Sequence, residues 1–291
     1  MKFKVFLLGF VLLVTGLRAQ DFLAPGSAEY RVLDAIHRFD YKEARRIMET
    51  EKARISPAEY HFLQVNYFWW LWISAQKVPG YRDSLILHMN RVDKLTEGRT
   101  KESAKLYYIR LMNYGFRYRL AFKEERFVSG LVYAQRTANR IRYALDNAQK
   151  SPFLKLTAAI YLFSTGYGRE HYWYLRPYFM LIPEGNQSLG LRYLHELARS
   201  DNEVLATEAR YVLARIYMDI LNRYDKALEL LETLTKQYPH NLFYLALYIQ
   251  SKEKLKMEFT ADAQRYVVGF RQTEFLLPAQ RNYYADWRNI E

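Results

Sequence analysis

Tyrosine and arginine recur at helical spacing between residues 107 and 140. Tyr107, Leu111, Tyr114 and Tyr118 fall on one helix face, and Arg110, Asn113 and Arg117 on the neighbouring one. In the following helix Arg136 and Arg140 align one turn apart. Tyrosine planes beside guanidinium forks suit carboxylates, sulfated or phosphorylated sugars and acidic peptides, because a guanidinium donates two parallel hydrogen bonds to such groups. The same spacing also fits a solvated outer surface whose tyrosines pack inward and whose arginines face water. Residues 166–187 form a second candidate stretch. Gly166, Gly168, Pro177, Pro183 and Gly185 punctuate it, while Tyr167, Tyr172, Trp173, Tyr174, Tyr178 and Phe179 crowd it. A connection of about twenty residues exceeds what a compact helical pair needs, and long loops are often functional. The stretch reads as a ligand-binding edge carrying Arg169, His171, Trp173 and Arg176, as a cover over a groove, or as a short helix near 170–181 packed on the helices around it.

Signals for catalysis or a cofactor are poor. His37, His61, His88, His171, His195 and His240 show no paired spacing suited to zinc. Gly166-Tyr167-Gly168 follows no strand and lacks the rest of a phosphate-binding loop, and no Gly-x-Ser-x-Gly sequence is present. Two carboxylates converging across a groove would make a helical sugar-cleaving enzyme, but no particular pair is favoured. The expectation is therefore a binding protein without cofactor or metal.

These residues must be positioned almost entirely by helices. Runs of alternating Val, Ile and Thr are absent, and the chain holds only eight prolines. Asp40 with Glu43, and Ser56 with Glu59, have capping-box spacing. Pro57 and Pro152 follow Ser56 and Ser151, where a first-turn proline is tolerated. These signals predict helices near 27–37, 40–52, 56–77, 81–96, 101–122, 124–149, 152–165, 187–199, 203–221, 224–237, 241–256 and 259–272. Tight turns between them, such as Phe39-Asp40, force neighbours to lie antiparallel. Tyr60 to Trp72 carries aromatics on all sides, which fits a central helix buried on every face better than a ligand cage.

The remaining bounds come from charge and composition. Net charge is +12, and +9 of it lies between Arg99 and Lys155. Lys2 and Lys4 precede an apolar run of about thirteen residues, Val5 to Leu17, the length of a signal peptide and short of a membrane span. Ala19 offers a cleavage point, so a signal peptide over about 1–19 and export to the periplasm or beyond are expected. An uncleaved anchor is the alternative. With no cysteine, disulfides and a bacterial lipoprotein anchor are both excluded. Export turns the basic block away from nucleic acid and towards acidic proteins, acidic glycans or anionic lipid.

One segment carries a family resemblance. In 209–241, Leu213, Ala214 and Tyr217 precede Ala227, Leu231 and Leu234, and Pro239 closes the unit. This resembles the tetratricopeptide repeat. Weaker copies of its second helix occur at Ala44 with Met48, and at Gly190 with Leu194 and Leu197; Ala263 is the candidate small position of a degenerate last copy. The resemblance implies an all-α fold, a right-handed superhelical stack of about six antiparallel helix pairs (an α-solenoid). Residues 20–291 would form one domain, interrupted by the aromatic insertion at about 166–187. It also implies a protein or peptide partner held in the concave face, and no enzymatic activity.

Overall fold

The computed structural model of the chain describes residues 22–75, 78, 80–97, 103–272, 276 and 278–290. The expected signal peptide, 1–19, lies outside the described residues. All regular structure among them is helical. The helices are α1 (Ala28–His37), α2 (Tyr41–Glu51), α3 (Pro57–Ser74), α4 (Tyr81–Thr96), α5 (Ala104–Lys123), α6 (Phe127–Ala138) and α7 (Ile141–Asn147). They continue with α8 (Pro152–His171), α9 (Arg176–Phe179), α10 (Gln187–Leu197), α11 (Glu203–Arg215), α12 (Tyr224–Gln237), α13 (Leu242–Lys254) and α14 (Thr260–Gln272).

The starts of these helices are written locally. Ser56 accepts from the Glu59 amide while Glu59 reaches back to the Ser56 amide, so both arms of a capping box are made. Asp40 accepts from the Glu43 amide at 2.9 Å, but the Glu43 carboxylate turns to Arg46 instead of closing the box. Ser27, Ser103, Ser151, Asn186, Asn202 and Asn241 cap their helices in the same way.

The helices sort into an inner and an outer set. Helices α3, α5, α8, α11 and α13 bury residues around most of their circumference. Helices α2, α4, α10 and α12 bury a single stripe of small and aliphatic residues, and α14 buries only Tyr266. The inner helices meet one another in sequence: α1 packs on α3, α3 on α5, α5 on α8, α8 on α11, and α11 returns to α1. Outer helices pack beside their inner neighbours, as α4 does on α3, α6 on α5, α10 on α8 and α12 on α11.

Polar contacts fasten the two ends of the chain. Asn202 Nδ2 donates to the Leu23 carbonyl at 2.6 Å, and Asn241 Nδ2 to the His37 carbonyl at 2.6 Å. The Tyr238 hydroxyl donates to Asp34, and that of Tyr244 meets His37 Nδ1 at 2.8 Å. The middle is filled by aromatic rings. Trp70 of α3 lies 5.7 Å from Tyr211 of α11 and 5.2 Å from Phe243 of α13, ring centre to ring centre. These rings fill the space between α3, α11 and α13.

Two helix boundaries differ from the sequence reading. The helix expected over 124–149 is two, α6 and α7, separated at Asn139 and Arg140. The helix expected to end at 165 runs to His171, so the irregular stretch begins at Tyr172. Gly166 does not break α8; it lets the chain cross. A Cβ on Gly166 would stand 2.6 Å from the Gln187 amide nitrogen, and one on Gly190 would stand 2.5 Å from that of Phe163. Gly166 thus admits the start of α10, and Gly190, within α10, admits the backbone of α8.

Candidate functional site

The arginine–tyrosine cluster is assembled by four consecutive helices. Helix α5 supplies Tyr107, Arg110, Tyr114 and Arg117; α6 adds Tyr133 and Arg136; Arg140 stands at the α6–α7 break, and Tyr143 follows on α7. Helix α4 supplies Asn90 and Asp93. Arg117 is buried and bound on several sides. Its Nη2 lies 2.8 Å from Asp93 Oδ2 and 2.7 Å from Asn90 Oδ1, and its guanidinium sits 5.3 Å from the Tyr133 ring centre. The buried Asn113 ties the same carboxylate down, donating to Asp93 Oδ1 at 2.7 Å and to the Met89 carbonyl at 3.1 Å.

Aromatic faces order the rest. Arg110 is buried and lies over the Tyr107 ring, which in turn stacks on Tyr143 with centres 4.1 Å apart. Arg136 lies over Tyr133 at 5.4 Å and Arg140 over Tyr114 at 5.9 Å. Such cation–π contacts contribute about 0.5–1 kcal/mol where exposed and more where water is excluded. Burial pushes the Tyr114 phenol above its ordinary range, against the opposing pull of Arg140. Burial likewise raises the Asp93 carboxyl, although Arg117 and Asn113 pull it down. Two guanidiniums, Arg117 in direct contact and Arg136 at longer range, therefore act on one carboxylate of α4.

The sequence-predicted residues separate by environment. Arg110, Tyr114 and Arg117 are buried at the base of the cluster, and Tyr107 and Arg140 are half-buried. Tyr118 and Arg136 are exposed. In the second stretch, Arg169 donates to Glu184 at 2.7 Å and to the Phe179 carbonyl at 2.9 Å, which fixes the loop's return. His171 stacks on Tyr167 at 3.8 Å. Trp173 and Arg176 are exposed. The two stretches approach each other at Tyr118, whose hydroxyl lies within electrostatic range of those of Tyr172 and Tyr178. Sequence reasoning missed Asn90, Asp93, Tyr133 and Tyr143. Tyr133 and Arg136 could have been paired by their spacing on one helix; nothing in the sequence marks Asp93.

A pair of imidazoles lies apart from this cluster. His61 Nδ1 and His88 Nδ1 are 2.8 Å apart, so one ring donates to the other, and His88 stacks flat on Phe68. Burial, then His61 and Arg91, push His88 down to about 4. Burial, then Arg91 and Lys52, lower His61. The pair is neutral at physiological pH, and its cationic neighbours oppose a metal cation. Among the described residues, no three His, Asp or Glu side chains are grouped to hold one. A depressed folded-state pKa means that the unfolded chain takes up protons first as pH falls. Stability is then whole above about pH 6.5 and is lost down to about pH 4. The full His88 shift corresponds to about 3 kcal/mol, which solvent screening at this half-buried site reduces to about 1–2 kcal/mol. Urea unfolding at several pH values should show that loss in the natural protein, and its larger part should be gone in His88→Phe.

No protein-family model matches the chain, and searches of curated proteins and of solved structures found no match either.

Proposed function

We propose that this protein is a non-enzymatic scaffold of the cell envelope, exported by its N-terminal signal, that binds an acidic segment of a protein or peptide partner. In this reading its helices form a tightly wound, right-handed stack of about six antiparallel pairs similar to tetratricopeptide repeats. Burial at the repeat positions supports the likeness. Ala44, Ala227, Leu231 and Leu234 are fully buried, and Gly190 sits at a close crossing of α10 on α8. Ala263, only half-buried, fits least well.

Because the interior is filled, the partner surface is assigned to the outside of α5 to α7. The observation that carries it is the state of Arg136 and Arg140. Both meet tyrosine rings, and neither has a carboxylate within ion-pair distance among the described residues, Arg136 reaching Asp93 only at longer range. Guanidiniums held over aromatic planes are pre-oriented donors for carboxylates. The test is crosslinking in living cells, followed by recovery of the protein with its partner and mass spectrometry. A specific envelope protein should be recovered, with yield falling several-fold in Arg136→Gln/Arg140→Gln and at raised salt. Recovery unchanged by the double variant would remove the reading.

The same two guanidiniums support a second reading, an acidic glycan as ligand. Retention on a sulfated-glycan column that exceeds retention on a sulfonate resin of equal charge would favour it over the protein partner.

A further inference from the structure

A continuous apolar ridge runs over the protein beside the arginine cluster. It begins on the turn after α8, where Trp173 and Tyr174 are exposed and pack edge to face. Tyr174 contacts Tyr172, which lies near Tyr118 at the C-terminal end of α5. Tyr118 contacts Phe122 at 4.5 Å, and Phe122 contacts Phe127 of α6 at 5.4 Å. Gly130 leaves room for the Phe122 ring, since a Cβ there would stand 2.5 Å from it. Trp173, Met180 and Leu181 are 73%, 84% and 79% exposed, and Val128 on the first turn of α6 is 78% exposed. Contiguous apolar surface of this kind marks an interaction site, unlike scattered single residues.

Charge identifies the occupant. Segments 127–145 and 171–183 contain no Asp or Glu, while they hold Arg136, Arg140, Arg142 and Arg176; of the flanking carboxylates, Glu124 is paired with Arg126 and Glu184 with Arg169. Val128, Val132 and Arg136 share one face of α6 by their spacing, placing a cation at the border of the apolar stripe. Side chains exposed to this degree stand on convex tips. Such tips enter a fluid layer, whereas protein partners anchor in well-packed pockets. Trp and Tyr are the residues that settle at the headgroup level, and arginines beside them meet anionic headgroups. No helix among the described residues is long and apolar enough to cross a membrane, so contact is with its surface.

We infer that the ridge formed by Trp173, Met180, Leu181, Phe127 and Val128 docks this protein on the surface of an anionic lipid bilayer. The inference does not depend on the scaffold reading, which concerns a protein partner. It is tested by cosedimentation of the purified full chain with phosphatidylcholine vesicles, with and without phosphatidylglycerol. Tryptophan emission is followed in parallel. Trp69, Trp70 and Trp72 are buried and Trp287 is half-buried against Tyr266, so a blue shift that is lost in the variant lacking Trp173 reports on Trp173. Binding to the anionic vesicles, with a blue shift and protection from aqueous quencher, is the expected result. Trp173→Ser/Met180→Ser/Leu181→Ser should weaken it roughly tenfold or more, because the insertion energy scales with buried apolar area. Phe127→Ser/Val128→Ser should act in the same direction, and circular dichroism should show both variants folded. Arg136→Gln/Arg176→Gln should reduce the preference for anionic over neutral vesicles. No binding to anionic vesicles overturns the inference, as does binding indifferent to both serine variants. Concentration-dependent self-association that the serine variants abolish, without vesicle binding, would reassign the ridge to a second copy of the chain.

Discussion

Trp70→Ala is expected to destabilise the protein by about 4 kcal/mol, within the range for removing a buried tryptophan without collapse of the cavity. Trp70 is buried, and its neighbours come from helices far apart in the chain. His37 belongs to α1, Tyr211 to α11 and Phe243 to α13. Each of these rings also touches Tyr244. The indole therefore joins the first helix to the last inner one, and no single neighbour can move to fill its place. Chemical denaturation should show the loss as a lower midpoint of one cooperative transition. Trp69→Ala gives the comparison, since Trp69 packs locally on Trp72 and on Phe116 of α5. Hydrogen exchange in Trp70→Ala should rise in α1 and α13 together. A cost below about 1 kcal/mol, or separate transitions for the two ends, would mean that the ring of inner helices is not one cooperative unit.

That closure was the least legible part of the fold. Capping residues act within three positions, so Ser56 with Glu59 could be read directly from the sequence. Apolar aromatics on all sides of α3 identified a helix without a solvent face, though not what surrounds it. Periodicity reports that a residue is buried and is silent about its partner. The contact of Tyr238 with Asp34 spans 204 positions, and no local pattern encodes it. Gly166 was misread for a related reason. A glycine that breaks a helix and one that admits a crossing chain look the same until the crossing chain is placed. In the arginine cluster, the ring partners of one helix were readable as faces. The counter-charge was not, because Asp93 comes from the preceding helix and sits there as an ordinary surface carboxylate would.

Asp93→Ala is expected to cost about 3 kcal/mol, because it strands a buried guanidinium. Arg117 is buried, and among the described residues Asp93 is the carboxylate it pairs with. Asn90 and Tyr133 accept from it, but neither carries a compensating charge. An uncompensated buried charge costs about 3–5 kcal/mol, and partial access of water to Asp93 sets the estimate at the lower end. Arg117→Met should cost less, about 1–2 kcal/mol. Burial already raises the Asp93 carboxyl, so that group can take up a proton when its partner is lost. A carboxyl with a raised folded-state pKa favours folding at low pH and loses that contribution as pH rises through it, so Arg117→Met should be relatively more stable near pH 4 than near pH 7. Asp93→Leu/Arg117→Met should recover to within about 1 kcal/mol of the natural protein, since apolar pairs of similar volume often replace buried ion pairs without loss. Unfolding of the four proteins completes the cycle. The asymmetry between the two single variants is the informative quantity. If Asp93→Ala cost no more than Arg117→Met, the guanidinium would be reaching water, and the base of the cluster would be an open cationic groove. The larger cost for Asp93 means that Arg117 is committed to the fold, leaving Arg136 and Arg140 to meet anything that binds.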